Sequence, residues 1–100
     1  MKILHLTIYR YWFDAIVSGE KKFEYREITP FWWKKLLNKN YDEIHIRNGY
    51  TKNCPFVRIK YDGWEYQDFN GKKCFALRIN KILEIKYNNY IQTRLSLCRQ

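Results

Sequence analysis

Three charged side chains stand at fixed offsets in the segment "GEKKFEYR" at positions 19–26: Lys21, Glu24 and Arg26. An ammonium, a carboxylate and a guanidinium within reach of one another in a partly desolvated cleft can grip a phosphate, meet the edge of a base or assist a proton transfer. On a strand, Glu24 and Arg26 lie two residues apart and share a face with Lys22, which leaves the opposite face to Phe23 and Tyr25 and predicts these aromatics in the core. Strict alternation would set Lys21 on the Phe23 side, where an unpaired ammonium is expensive to bury. Lys21 is therefore expected in a turn or bulge after Gly19, folded back toward Glu24. Two plainer accounts compete. On a solvated strand face the pair is worth only about 0–1 kcal/mol, and as a buried pair it would serve to fix the strand register.

The flanking pattern supplies elements to position these groups. Lys2 to Ile8 reads as a mostly buried strand, and Trp12, Phe13, Ile16 and Val17 fall on one helical face that ends at Gly19, a C-terminal cap. Lys22 to Ile28 alternates again, and Thr29-Pro30 offers an N-cap and first-turn proline for a short helix carrying Trp33, Leu36 and Leu37, with Trp32 off that stripe and exposed near the cleft. In "DEIHIRNGY" (Asp42 to Tyr50), Ile44 and Ile46 face one way and His45 and Arg47 the other, before a turn at Asn48-Gly49. "FVRIKY" (Phe56 to Tyr61), a hairpin at Asp62-Gly63, a second at Asn70-Gly71 and one long strand through "KCFALRINKILEIKY", bent near Asn80-Lys81, predict an antiparallel meander. The fold class is α+β: five to six mostly antiparallel strands and two short helices, the sheet curling into a small barrel because so few helices are available to cover it. Residues 1–87 form the domain, and residues 88–100 a tail that fits a short helix or an equally frayed end.

The chain has 100 residues, enough for one core. It carries 19 Lys and Arg against 10 Asp and Glu, a net charge of +9, and 19% aromatic residues. Both surpluses together point to a polyanionic partner with flat, stackable parts, which describes nucleic acid better than a membrane. A Lys- and Asn-rich composition set by genomic base composition accounts for part of the same charge. No apolar run approaches the roughly 18 residues of a membrane span, and Arg10 and Asp14 break the N-terminal segment, so a cytoplasmic protein is expected. Cys54, Cys74 and Cys98 are odd in number and widely spaced, as ordinary reduced thiols would be. His5 and His45 read as strand-face histidines, and neither metal nor cofactor is expected.

The spacing Gly19-x-Lys21-x-x-Glu24-x-Arg26 resembles the signature of the ASCH domain family, whose fold is similar to the PUA RNA-binding domain. The segment lies just after a first strand and helix, as it does in that family. Its flank "LHLTIYRYWFDAIVSGEKKFEYREITPFWWKKL" and the "RNGY" of Arg47 to Tyr50 resemble the small stand-alone phage or bacterial members, and the likeness extends from about Lys2 to Ile85. It implies a β-barrel whose cleft beside the first helix is lined by Lys21, Glu24 and Arg26 and takes RNA or a modified nucleoside. One branch of relatives removes the acetyl group of N4-acetylcytidine with the motif lysine, a threonine where this chain has Glu24, and a later glutamate that has no counterpart here. Another relative is described as a metal-dependent ribonuclease.

As a binding module, the chain would use Lys21, Arg26 and Arg47 on phosphate or base edge, Glu24 to accept from an exocyclic amine or to hold Arg26, Asn48 at the strand end, and Tyr50 to stack. Lys34, Lys35, Lys52, Arg58 and Lys60 would add attraction that falls with salt, although Lys34 and Lys35 also read, and more simply, as the solvated side of the short helix. As a hydrolase of a modified nucleoside or of RNA, Lys21 and Glu24 would be the catalytic pair. A facing carboxylate favours the ammonium form of a lysine, which suits electrostatic stabilisation better than proton abstraction. A third reading is a phage or mobile-element product that binds a host protein.

Overall fold

The computed structural model describes residues 1–86. Nine elements follow in order: β1 (Ile3–Thr7), α1 (Arg10–Ser18), β2 (Phe23–Glu27), α2 (Pro30–Leu36), β3 (Glu43–Arg47), β4 (Phe56–Lys60), β5 (Trp64–Phe69), β6 (Lys72–Arg78) and β7 (Ile82–Lys86). The α+β class and the two short helices stand as the sequence predicts. The tail expected at residues 88–100 lies outside the described residues.

The helix boundaries follow from local chemistry. Gly19 closes α1 with φ of 87°, a left-handed conformation open to glycine, and its N–H donates to Ile16 O. Thr29 caps α2 by accepting from the Trp32 N–H at 3.2 Å, with Pro30 in the first turn, where its missing donor has no cost.

Among the described residues the strands number seven, rather than five to six, and form two separately hydrogen-bonded sheets, ordered β1-β3-β4-β7 and β2-β6-β5. The extra strand comes from the segment expected to be one long strand. It breaks at residues 79–81, so that β6 pairs with β2 and β5 while β7 pairs with β4. The expected meander is likewise replaced. Asp62-Gly63 does not close a hairpin but carries the chain from one sheet to the other, because both edges of β4 are already taken by β3 and β7. Asn70-Gly71 does close one, with φ of 55° and 76°, the paired left-handed conformations of a tight β5–β6 turn. β1 and β3 run parallel, joined by the long crossover that holds both helices.

One core joins the two sheets and both helices. Leu4 and Leu6 of β1, Phe13 and Ile16 of α1, Leu36 of α2, Ile44 and Ile46 of β3, Val57 and Ile59 of β4, and Phe75 and Leu77 of β6 are buried in a single cluster. At about 1.5–3 kcal/mol for each large apolar side chain removed from water, this cluster is the main favourable term of folding. Cys54 and Cys74 are free thiols. Among the described residues, no helix is long and apolar enough to cross a membrane.

Candidate functional site

Glu24 is 6% exposed. It sits on β2 opposite Leu77 of β6, and Arg26 sits opposite Phe75, so the charged face of β2 is the inward one. This reverses the prediction that Phe23 and Tyr25 are core. Both aromatics are half-buried on the other face, where Tyr25 stacks on Phe69 at 4.5 Å and hydrogen-bonds Gln67. Alternation identifies the two faces of a strand but not which of them looks inward, and here the stacking of Tyr25 on Phe69 shields the outer face well enough for the pair to remain there.

A carboxylate so deeply placed must be compensated, and each of its oxygens is. Arg26 Nη2 lies 2.7 Å from Glu24 Oε2, and Lys21 Nζ lies 3.3 Å from Oε1. Lys21 occupies the turn after α1, its N–H donating to Ala15 O, and reaches back to Glu24 as the sequence predicts. Its ammonium is also held over the Trp12 ring at 4.6 Å and the Tyr25 ring at 5.2 Å. The Arg26 guanidinium packs on Trp32 at 4.9 Å and donates from Nη2 to Thr7 O at 3.3 Å. Trp32 is half-buried against the core, so its predicted place near the cleft holds while full exposure does not. Arg26 Nε, by contrast, is a buried donor without a hydrogen-bond partner.

Glu24 and Arg26 border a cleft of about 500 Å³ at the C-terminal ends of β1 and β3, whose lining also includes Thr7, Trp12, Asn48 and Tyr50. Asn48 is fixed there by donating from Nδ2 to Ile8 O at 3.0 Å, which orients its side-chain carbonyl as an acceptor. The cleft thus combines guanidinium donors with carboxylate and amide acceptors. Its rim is aromatic: Tyr9, Trp12 and Tyr50 are 82%, 40% and 92% exposed.

Two predicted site residues lie elsewhere. Lys21 lines an adjoining depression of about 390 Å³ that shares Trp12 and Tyr25 with the cleft, so it braces Glu24 from behind instead of facing a ligand beside it. Arg47 is turned to the other face of its sheet, where its Nη1 lies 3.2 Å from His5 Nδ1 and its guanidinium packs on Phe56 at 4.8 Å. That face carries a polar network in which Glu43 meets His45 at 2.9 Å and Arg58 at 2.7 Å. The hydrogen bond from His45, with the Arg58 guanidinium, holds the Glu43 carboxyl below its ordinary range. Burial pushes the pKa of His5 down, and the nearby Arg47, His45 and Lys35 add to this. Among the described residues, no group of three or more His, Cys, Asp or Glu side chains is arranged to hold a metal ion.

Tyr9 and Trp12 escaped sequence reasoning as rim residues. The available signal was the junction itself, because Tyr9 is the extended residue between β1 and α1 and Trp12 follows one turn later, at the edge of the apolar stripe led by the fully buried Phe13 and Ile16. No family model, no curated protein and no solved structure matches the chain.

Proposed function

We propose that the chain binds a nucleotide of RNA, or a modified nucleoside, in the cleft of Glu24, Arg26, Asn48 and Tyr50, within a PUA-like arrangement whose barrel halves are the two sheets. The observation that carries this reading is the buried carboxylate of Glu24 at a cleft wall, with a cation on each oxygen. A pair that served only to set strand register would have no need of an open cleft beside it, nor of a buried Arg26 donor left unsatisfied. The donors and acceptors match the mixed polar edge of a base, and the exposed rings of Tyr9, Trp12 and Tyr50 match its flat face. The net charge of +9 supplies the attraction for phosphate.

Calorimetric titration of a panel of nucleoside monophosphates and modified nucleosides, N4-acetylcytidine included, tests this with wild type, Arg26→Ala and Glu24→Gln, product being followed by chromatography. Saturable binding by wild type that both substitutions abolish is the expected result. Binding by none of the panel, or equal binding by all three proteins, would overturn it. Turnover lost with Glu24→Gln would replace the binding module with a hydrolase.

A further inference from the structure

Two concavities meet at one ridge. The cleft and the adjoining depression of about 390 Å³ both include Trp12 and Tyr25 in their lining, so these two rings stand between them and belong to each. Glu24 joins the two a second time. Of the cations on its carboxylate, Arg26 lines the cleft at 2.7 Å from one oxygen, and Lys21 lines the depression at 3.3 Å from the other. One buried anion therefore holds a cation for each chamber.

The depression is built of rings. Five of its nine lining residues are aromatic: Tyr11, Trp12, Phe23, Tyr25 and Phe69. The rings of the ridge are already engaged, because the Lys21 ammonium lies over Trp12 and Tyr25 and Phe69 stacks on Tyr25. Tyr11 is 72% exposed and meets Trp12 at 4.7 Å, nearly perpendicular, a contact that orients the ring without a parallel stack. A ring so held loses less freedom when a base stacks on it. On the same lining Lys21 and Lys22 outnumber Glu20. A protein-docking patch keeps lysine out of its centre, whereas a ring beside cations offers a base its π-face and a phosphate its counter-charge.

We propose that the cleft and this depression are two chambers of one site for consecutive nucleotides of single-stranded RNA, the second base stacking on Tyr11 and the linking phosphate crossing the Trp12–Tyr25 ridge within the field of Lys21 and Lys22. The proposal rests on the cleft reading for the first nucleotide, and it makes the partner an RNA strand instead of a free nucleoside.

Calorimetric titration with uridine monophosphate and with the trinucleotide UpUpU tests it, since the two ligands carry about the same charge and the trinucleotide supplies a neighbour on either side of the nucleotide in the cleft. Wild type is expected to hold the trinucleotide about tenfold more tightly, the gain from one stacked base. Tyr11→Leu keeps apolar contact with Trp12 while losing the flat face. It should abolish that gain and leave monophosphate affinity, which also reports an intact fold, unchanged. Lys22→Gln should lower the slope of log affinity for the trinucleotide against log salt by about 0.7, the share of one phosphate contact on a single strand. A trinucleotide held no more tightly than the monophosphate by wild type, a gain kept in Tyr11→Leu or a slope unaltered in Lys22→Gln would overturn the second chamber, and monophosphate binding lost with Arg26→Ala would still uphold the cleft. Conversely, if wild type ignores the monophosphate but Tyr11→Leu still weakens trinucleotide binding, the cleft reading falls and the depression stands as an RNA site. If N6-benzyladenosine monophosphate binds more tightly than adenosine monophosphate, and this gain alone is lost with Tyr11→Leu, the chamber belongs to a base substituent and the proposal is overturned.

Discussion

Arg26 and Glu24 form a 2.7 Å ion pair along one face of β2, and that face looks inward. With Lys21 on the second carboxylate oxygen, one buried anion organises two cations. Removing the anion leaves both cations without their carboxylate partner, only the ring contacts and the Thr7 carbonyl remaining to them, while removing Lys21 leaves the Arg26 pair intact. Glu24→Ala is accordingly expected to cost about 3 kcal/mol of unfolding free energy, the low end for breaking a buried pair because Arg26 keeps some solvent contact. Lys21→Met is expected to cost less than half of that. Urea denaturation of the two variants measures the difference, and equal losses would show that the pairings are not ordered in this way.

Arg47 supplies a control for the cleft. Its side chain is engaged with His5 and Phe56 on the other face of its sheet. Arg47→Ala should leave nucleotide affinity within about twofold of wild type at moderate salt, the residue contributing only to the long-range field. A loss comparable with that of Arg26→Ala, measured by the same titration, would place Arg47 at the ligand.

Stability should depend on pH through His5. Burial first, then Arg47, His45 and Lys35, lower its pKa from the ordinary 6.5. Between the folded value and 6.5 the unfolded chain binds more protons, so stability falls as pH drops through that window and is fully present above it. The neighbouring network includes Glu43 and Arg58 as well, through His45. Denaturation midpoints collected across this window should decline toward acid in wild type and flatten in His5→Gln. An equal slope in both would assign the dependence to other groups.

The β5–β6 hairpin depends on left-handed backbone at Asn70 and Gly71. A methyl group added at Gly71 meets no atom within 4 Å, so Gly71→Ala isolates the conformational term. It should lower stability by about 1–2 kcal/mol without altering cleft binding. Thermal melts and the nucleotide titration together check both halves of this expectation.

How much of this was legible beforehand varies with the kind of inference. Gly19 and Thr29-Pro30 placed the helix ends because their signals are local, a glycine for φ of 87° and a hydroxyl for the Trp32 N–H. The reach of Lys21 back to Glu24 was legible for the same reason, as a short turn leaves an ammonium few places to go. The inward direction of Glu24 was not, because it is decided by the pairing of β2 with Leu77 and Phe75 some fifty residues away. Arg47 offers a different lesson. Alternation with Ile44 and Ile46 had already set it beside His45 on the face opposite the core, and the family likeness of "RNGY" drew it toward the cleft against that pattern. Long-range choices explain the sheets as well. Whether Asp62-Gly63 closes a hairpin depends on β7 occupying the edge of β4, which no local signal at the turn reports.

The proposed binding of one nucleotide in the cleft of Glu24 and Arg26 can be mapped residue by residue. Amide chemical-shift mapping of the isotope-labelled protein during titration with uridine monophosphate and with N4-acetylcytidine tests it most directly. Binding in the cleft should give saturable shifts concentrated at Thr7, Trp12, Glu24, Arg26 and Asn48 to Tyr50, with the β3–β4 face around His45 and Arg58 unmoved. Shifts centred on that other face, or shifts that spread over the lysines and vanish with salt, would contradict it.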